Sequence, residues 1–190
     1  MKLLSTLFLA GTCFLVNAQS APAIDGFMGS DFGMTVTQVK AVNADKNYNY
    51  QDDFKGLVVT KQSFAGFNDC SLIWSFTESG KLFQGKVLTS PDLEAQAMTL
   101  YDKIVAAISR KYGEGTRLER YDYPYEKGDG HWQTAFSVGK GHLLTFWKDE
   151  NDNTISVELD EDFYIKVTYQ DAKLIEVAIA EQNNKNDEDL

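Results

Sequence analysis

The chain has 190 residues, with 18 basic against 28 acidic side chains and a formal net charge of −10. That balance argues against a binder of nucleic acid or of anionic membranes, since both need clustered Lys and Arg to displace counterions. The length suits one domain with a substantial core, and acidity by itself keeps a protein in solution without naming a partner.

The first element has the three-part layout of a secretory signal peptide. Lys2 supplies the charged start, Leu3 to Val16 an apolar run too short to span a bilayer comfortably, and Val16-Asn17-Ala18 the small residues around a cleavage point. Residues 1–18 are therefore expected to be removed, delivering the protein to the periplasm or the extracellular space. A retained anchor and a lipid site at Cys13 are the weaker alternatives, because Ala10-Gly11-Thr12 is a poor lipobox. No later stretch approaches the roughly 20 apolar residues of a membrane-spanning helix, so no stable membrane insertion is expected. Cys70 is then the only mature cysteine, and one cysteine closes no intramolecular disulfide. It reads either as a small buried hydrophobe or as a reactive thiol, and the first is favoured because free cysteine is usually buried.

Residues 19–26 form a polar leader expected to be flexible. Thr35 and Gln38 have capping-box spacing, Met34 and Val39 that of a hydrophobic staple, and Val36, Val39 and Val42 recur at helical intervals. A short helix is predicted from Val36 to about Ala44. Strands follow at Leu57 to Phe64, Ser71 to Phe76 and Leu82 to Leu88, the last two joined by a hairpin turn at Glu78-Ser79-Gly80. Ser90 and Pro91 predict the cap and first turn of a long second helix with the stripe Leu93, Ala97, Leu100, Tyr101, Ile104, Ile108 and Tyr112, stopped at Gly113. Five more strands are predicted: Arg117 to Tyr123, Trp132 to Val138, His142 to Lys148, Thr154 to Leu159 and Phe163 to Tyr169. Residues 172–183 could be helix or strand. Helix is preferred, with Asp171 as cap and Leu174, Ile175, Ala178 and Ile179 as its apolar residues. Residues 182–190 read as an acidic, disorder-prone tail.

The expected fold class is α+β, with an antiparallel sheet in the order α-β3-α-β5, a C-terminal helix, and the long second helix packed on one sheet face. Residues 27–181 form the single domain.

No catalytic constellation stands out. His131 and His142 lack metal-ligand spacing and read as exposed, so neither a metal nor a cofactor is predicted. No Gly-x-Ser-x-Gly elbow occurs, and Gly139-Lys140-Gly141 is too short for a phosphate loop and reads as a hairpin turn. Asp149, Asn151 and Asn153 mimic the start of a calcium loop, but Thr154 stands where glycine is needed and Asp160 where glutamate is, so a solvated hairpin tip is preferred. The aromatic-rich segment Tyr121 to Trp132, with Pro124 and two glycines, reads as a projecting loop. Tyr121, Tyr123, Tyr125 and Trp132 are its candidate binding residues, since Tyr and Trp offer large, rigid contact area with a polar tip. The competing reading folds these aromatics back as core and edge cover, and it is preferred because Trp74, Trp132 and Trp147 all fall in predicted strands.

Two segments resemble a group of small, uncharacterised exported bacterial proteins: Phe27-Met28-Gly29-Ser30-Asp31-Phe32-Gly33-Met34-Thr35, and Ile108-Ser109-Arg110-Lys111-Tyr112-Gly113, with Gly80-Lys81-Leu82 between them. The resemblance spans roughly Phe27 to Glu181. Such proteins are similar in layout to beta-lactamase-inhibitor-like folds, which present a sheet surface to partners. The resemblance implies that architecture and an exported life, and carries no activity.

The function expected from the sequence is a non-enzymatic binding module of the cell envelope. Its partner would be another envelope protein or a small envelope component, engaged through the sheet face and the Tyr121–Trp132 loop. The alternatives are a hydrolase using scattered carboxylates and an envelope assembly factor.

Overall fold

A computed structural model describes residues 22–53 and 56–188. The predicted signal peptide lies outside the described residues. Local signals place the first helix, α1 (Val36–Val42), as expected. Thr35 caps it, the Gln38 backbone N–H reaches the Thr35 hydroxyl, and the Gln38 side chain returns to the Thr35 N–H at 2.8 Å. Val39, the residue on its inward face, is fully buried.

Ahead of α1 stands a two-stranded ribbon, β1 (Gly26–Phe27) and β2 (Ser30–Asp31). The main sheet then builds in two runs. The first comprises β3 (Gln51–Asp53), β4 (Gly56–Phe64), β5 (Phe67–Phe76) and β6 (Leu82–Thr89). The long helix α2 (Ala97–Tyr112) leads into the second, made of β7 (Thr116–Tyr121), a short helix α3 (Trp132–Ser137), β8 (Gly141–Lys148), β9 (Thr154–Leu159) and β10 (Ile165–Gln170). Helix α4 (Ala172–Glu188) closes the described chain. Every pairing is antiparallel and the spatial order is β3-β4-β5-β6-β10-β9-β8-β7. The fold class is the α+β arrangement that tight turns and segregated helices imply.

That order is palindromic. Each half is a helix followed by four antiparallel strands, the second half with α3 inserted between β7 and β8, and the last strands of the two halves, β6 and β10, meet at the centre. Val87 pairs with Val167 there, and each is preceded by a lysine, Lys86 and Lys166.

Alternation along the strands sorts residues to two faces. The inner face carries Leu57, Val59, Leu72, Trp74, Val87, Leu143, Trp147, Ile155, Val157, Ile165 and Val167, all buried. Helix α2 packs here with Ala97, Tyr101, Ile104, Ile108 and Tyr112, spaced at four, three, four and four residues; of the predicted stripe these five are buried, Leu100 is half-buried and Leu93 lies exposed ahead of the helix. Glycines make room for aromatic rings. A Cβ on Gly85 would fall inside the Phe27 ring, and one on Gly141 would lie 2.4 Å from Phe136 Cδ2.

Four expectations are corrected. Residues 132–138 are not a strand: Trp132, Ala135 and Phe136 have helical spacing, and α3 turns all three inward while Thr134 and Val138 face solvent. Lys140 N–H to Ala135 O and Gly139 N–H to Phe136 O then close a Schellman motif, with Gly139 at φ +70°. Gly139-Lys140-Gly141 therefore joins a helix to a strand, not two strands, and the second run holds four strands, not five. Ser90 and Pro91 do not start α2. The chain passes through an extended Leu93 and a 3₁₀ turn at Glu94–Gln96 first, and Leu93 is 62% exposed. The leader is not free at its inner end: Ile24 is buried, its N–H donates to Asp149 Oδ2 and its carbonyl accepts from Asn153 Nδ2. The last helix is a helix, capped by Asp171 Oδ1 on the Lys173 and Leu174 N–H groups, and it runs through residues 182–188 of the expected tail.

Candidate functional site

The segment from Asp122 to His131 connects β7 to α3 and is braced from within. Asp129 accepts the backbone N–H groups of Glu126 and His131 at 2.9 and 2.7 Å. Asp122 Oδ2 meets His142 Nε2 at 3.0 Å and its Oδ1 lies 3.3 Å from Arg120 Nε. Lys127 reaches Glu119 at 2.8 Å, and Lys140 Nζ donates to the Tyr123 carbonyl at 2.9 Å.

This brace splits the four aromatics predicted as binding residues. Tyr121 and Trp132 both turn their rings edge-on to Phe136, at 6.2 Å each, and Trp132 also meets Phe163 at 6.1 Å. They cover the core where Phe136 crosses Gly141. Tyr125 is half-buried, whereas Tyr123 projects and is 91% exposed. Only Tyr123 stands free for contact.

The carboxylates of the loop are tuned toward the ionised state. Burial pushes Glu119 up, but Lys127 and Arg117 outweigh it and hold it below the usual range. The His142 hydrogen bond, aided by Arg120 and Lys140, lowers Asp122, and the backbone N–H groups of Glu126 and His131 lower Asp129. A general acid needs the opposite shift, so these three carboxylates act as anchors. Cys70 is fully buried in β5 and burial raises its thiol, the reverse of an activated thiolate.

The calcium-like turn is likewise spoken for. Asp149 Oδ1 accepts from Asn151 and Asn153 N–H at 2.8 and 2.9 Å while Oδ2 accepts from Ile24. Its carboxylate therefore ties the N-terminal segment to the β8–β9 hairpin.

The largest feature without a structural occupant is the outer face of the sheet. Register places Thr116, Leu118 and Arg120 of β7 beside Phe146, Leu144 and His142 of β8. Ser156 and Glu158 of β9 come next, then Lys166, Thr168 and Gln170 of β10, Gln84, Lys86 and Leu88 of β6, and Ile73 and Ser75 of β5. None of these residues is buried, in contrast to the alternate set facing α2. Leu118 is 53% exposed. At one end a groove of about 570 Å³ opens between the α3–β8 turn and the β9–β10 turn, lined by His142, Glu158, Asp160 and Lys166 among others. Sequence reading expected a sheet face but not its composition. The signal was the polar alternate set in β6 and β10, Gln84/Lys86 and Lys166/Thr168/Gln170.

Among the described residues, no helix is long and apolar enough to cross a membrane. No protein-family model and no curated protein matches the chain.

Proposed function

We propose that this is an exported binding module of the cell envelope that holds a partner protein against the outer face of its sheet, with Tyr123 contacting the partner from the rim. The observation that carries the reading is the contrast between faces: one is sealed by α2 and α3, and the other keeps Leu118, Leu144, Phe146, Leu88 and Ile73, on four of the strands, half-buried or exposed. Open apolar area rimmed by polar groups marks interaction sites in monomeric proteins. The signal-peptide layout of residues 1–18 supplies the compartment, and the resemblance to sheet-presenting inhibitor-like folds agrees with the mode of contact.

A photo-reactive phenylalanine analogue placed at Ser156 or Thr168 tests the reading in the protein's own host. A discrete cross-linked adduct is expected from these positions and none from Lys103 or Ala106, on the exposed side of α2. Equal adducts from both faces, or none from Ser156 and Thr168, sink it.

A further inference from the structure

At the centre of the open face one cation is left without a counter-charge. Lys86 lies opposite Thr168 on β10 and Ile73 on β5, with Gln84 and Leu88 two residues to either side. Its diagonal neighbours are Ser71 and Ser75 on β5 and Lys166 and Gln170 on β10. None of these is acidic. Its counterpart in the other half, Lys166, differs: it pairs with Asp160 at 2.9 Å and stands opposite Glu158 in register. Among the described residues, no carboxylate pairs with Lys86.

On β6 to β10 every outward lysine or arginine but Lys86 has a carboxylate partner. Outward positions of β6 to β10 carry Lys86, Arg120, Lys148 and Lys166 against the single acid Glu158, on a protein of net charge −10. The compensating carboxylates Asp122, Asp152 and Asp160 lie at strand ends, around the rim. Covering the Lys86 ammonium with a neutral or basic surface strips its water and returns nothing. A partner that seals this face must therefore bring its own anion to Lys86.

We propose that the partner is a protein segment, extended across the sheet, that sets an aspartate or glutamate carboxylate on Lys86 and the Thr168 hydroxyl, with apolar side chains to either side on Ile73 and Leu88. This rests on the sheet face being the docking surface, and it names the partner's chemistry.

The test titrates the isotope-labelled full chain with a ten-residue peptide alternating glutamate and leucine, beside its lysine–leucine counterpart and a single-stranded DNA ten-mer. The acidic peptide is expected to shift the amide signals of Ile73, Lys86 and Thr168. Lys86→Gln should weaken it about tenfold or more, and Lys86→Arg should retain most of the affinity. Lys86→Gln leaves the spectrum folded, since it removes a cation that has no counter-charge. Thr168→Trp, or Ser156→Trp if the first does not fold, separates the two levels. If the bulky variant abolishes binding and Lys86→Gln leaves it unchanged, the face is the docking surface but the acidic contact is wrong. If neither changes it, both readings fall. Absence of acidic-peptide binding, equal binding of the lysine–leucine peptide, or equally tight DNA binding at Lys86 also overturns the inference.

Discussion

Tyr101 sits fully buried in the second turn of α2, with its hydroxyl 2.7 Å from Thr145 Oγ1 and 3.2 Å from the Val157 carbonyl. Accepting from Thr145 and donating to Val157 satisfies all three groups in a place water does not reach. Tyr101→Phe leaves the Thr145 hydroxyl buried with one partner fewer, and a loss of about 1–2 kcal/mol is expected in a denaturant melt. The same burial raises the Tyr101 pKa to about 12. Its folded value lies above the unfolded one, so its contribution is intact below pH 10 and is lost as pH rises toward 12. Alkaline unfolding should therefore steepen between pH 10 and 12, with Tyr101 accounting for roughly 2–3 kcal/mol of it and Tyr101→Phe flattening that limb. An unchanged alkaline limb in the variant would assign the transition elsewhere. Tyr101 was legible as part of a helical stripe; its hydroxyl partners were not, because Thr145 and Val157 are 44 and 56 residues away. The aromatic loop shows the same division. Composition singled out Tyr121, Tyr123, Tyr125 and Trp132, and only packing against Phe136 separated the rings that cover the core from the one that projects.

At the scale of elements, α1 and the end of α2 were readable because their signals are local: a capping box within four residues, and Gly113 after Arg110 and Lys111. Helix α3 was not. Trp132, Thr134, Phe136 and Val138 alternate as a strand does, and Trp132, Ala135 and Phe136 recur as a helix does. A short apolar segment fits both periods. Docking of Phe136 on Gly141 decides between them, since a strand residue there would have no such socket. Gly141→Ala therefore has a specific effect. Its Cβ would meet the Phe136 ring at 2.4 Å, forcing α3 away from β8. A loss of about 1–3 kcal/mol is expected, with faster hydrogen exchange confined to α3 and the 122–131 loop. A neutral melting temperature would show that α3 does not rest on that contact. The start of α2 was misplaced for a related reason. Ser90-Pro91 has the right chemistry for a cap, but the chain at that point is still leaving β6, and Leu93 finds no apolar surface to cover.

At the scale of the molecule, two residues in one hairpin join both ends of the described chain. Asp149 holds the Ile24 N–H, and Asn153 accepts from the Ala172 N–H at the start of α4 while donating to the Ile24 carbonyl. Asp149→Ala removes three charge-assisted hydrogen bonds at once. It should cost about 2–3 kcal/mol and open a protease site near Ile24, detected by limited digestion before global unfolding. Digestion that begins elsewhere would contradict that linkage. By itself the sequence determined the α+β class, the β5–β6 and β8–β9 hairpins and most of the stripe of α2, and it favoured the final helix over a strand without deciding it, because period, caps and turns act over a few residues. The palindromic strand order, the pairing of β6 with β10, the burial of Ile24 and the lone cation at the centre of an open face were decided only by tertiary structure. Each depends on residues tens of positions apart meeting across a sheet, where long-range register and packing, not local preference, set the free energy.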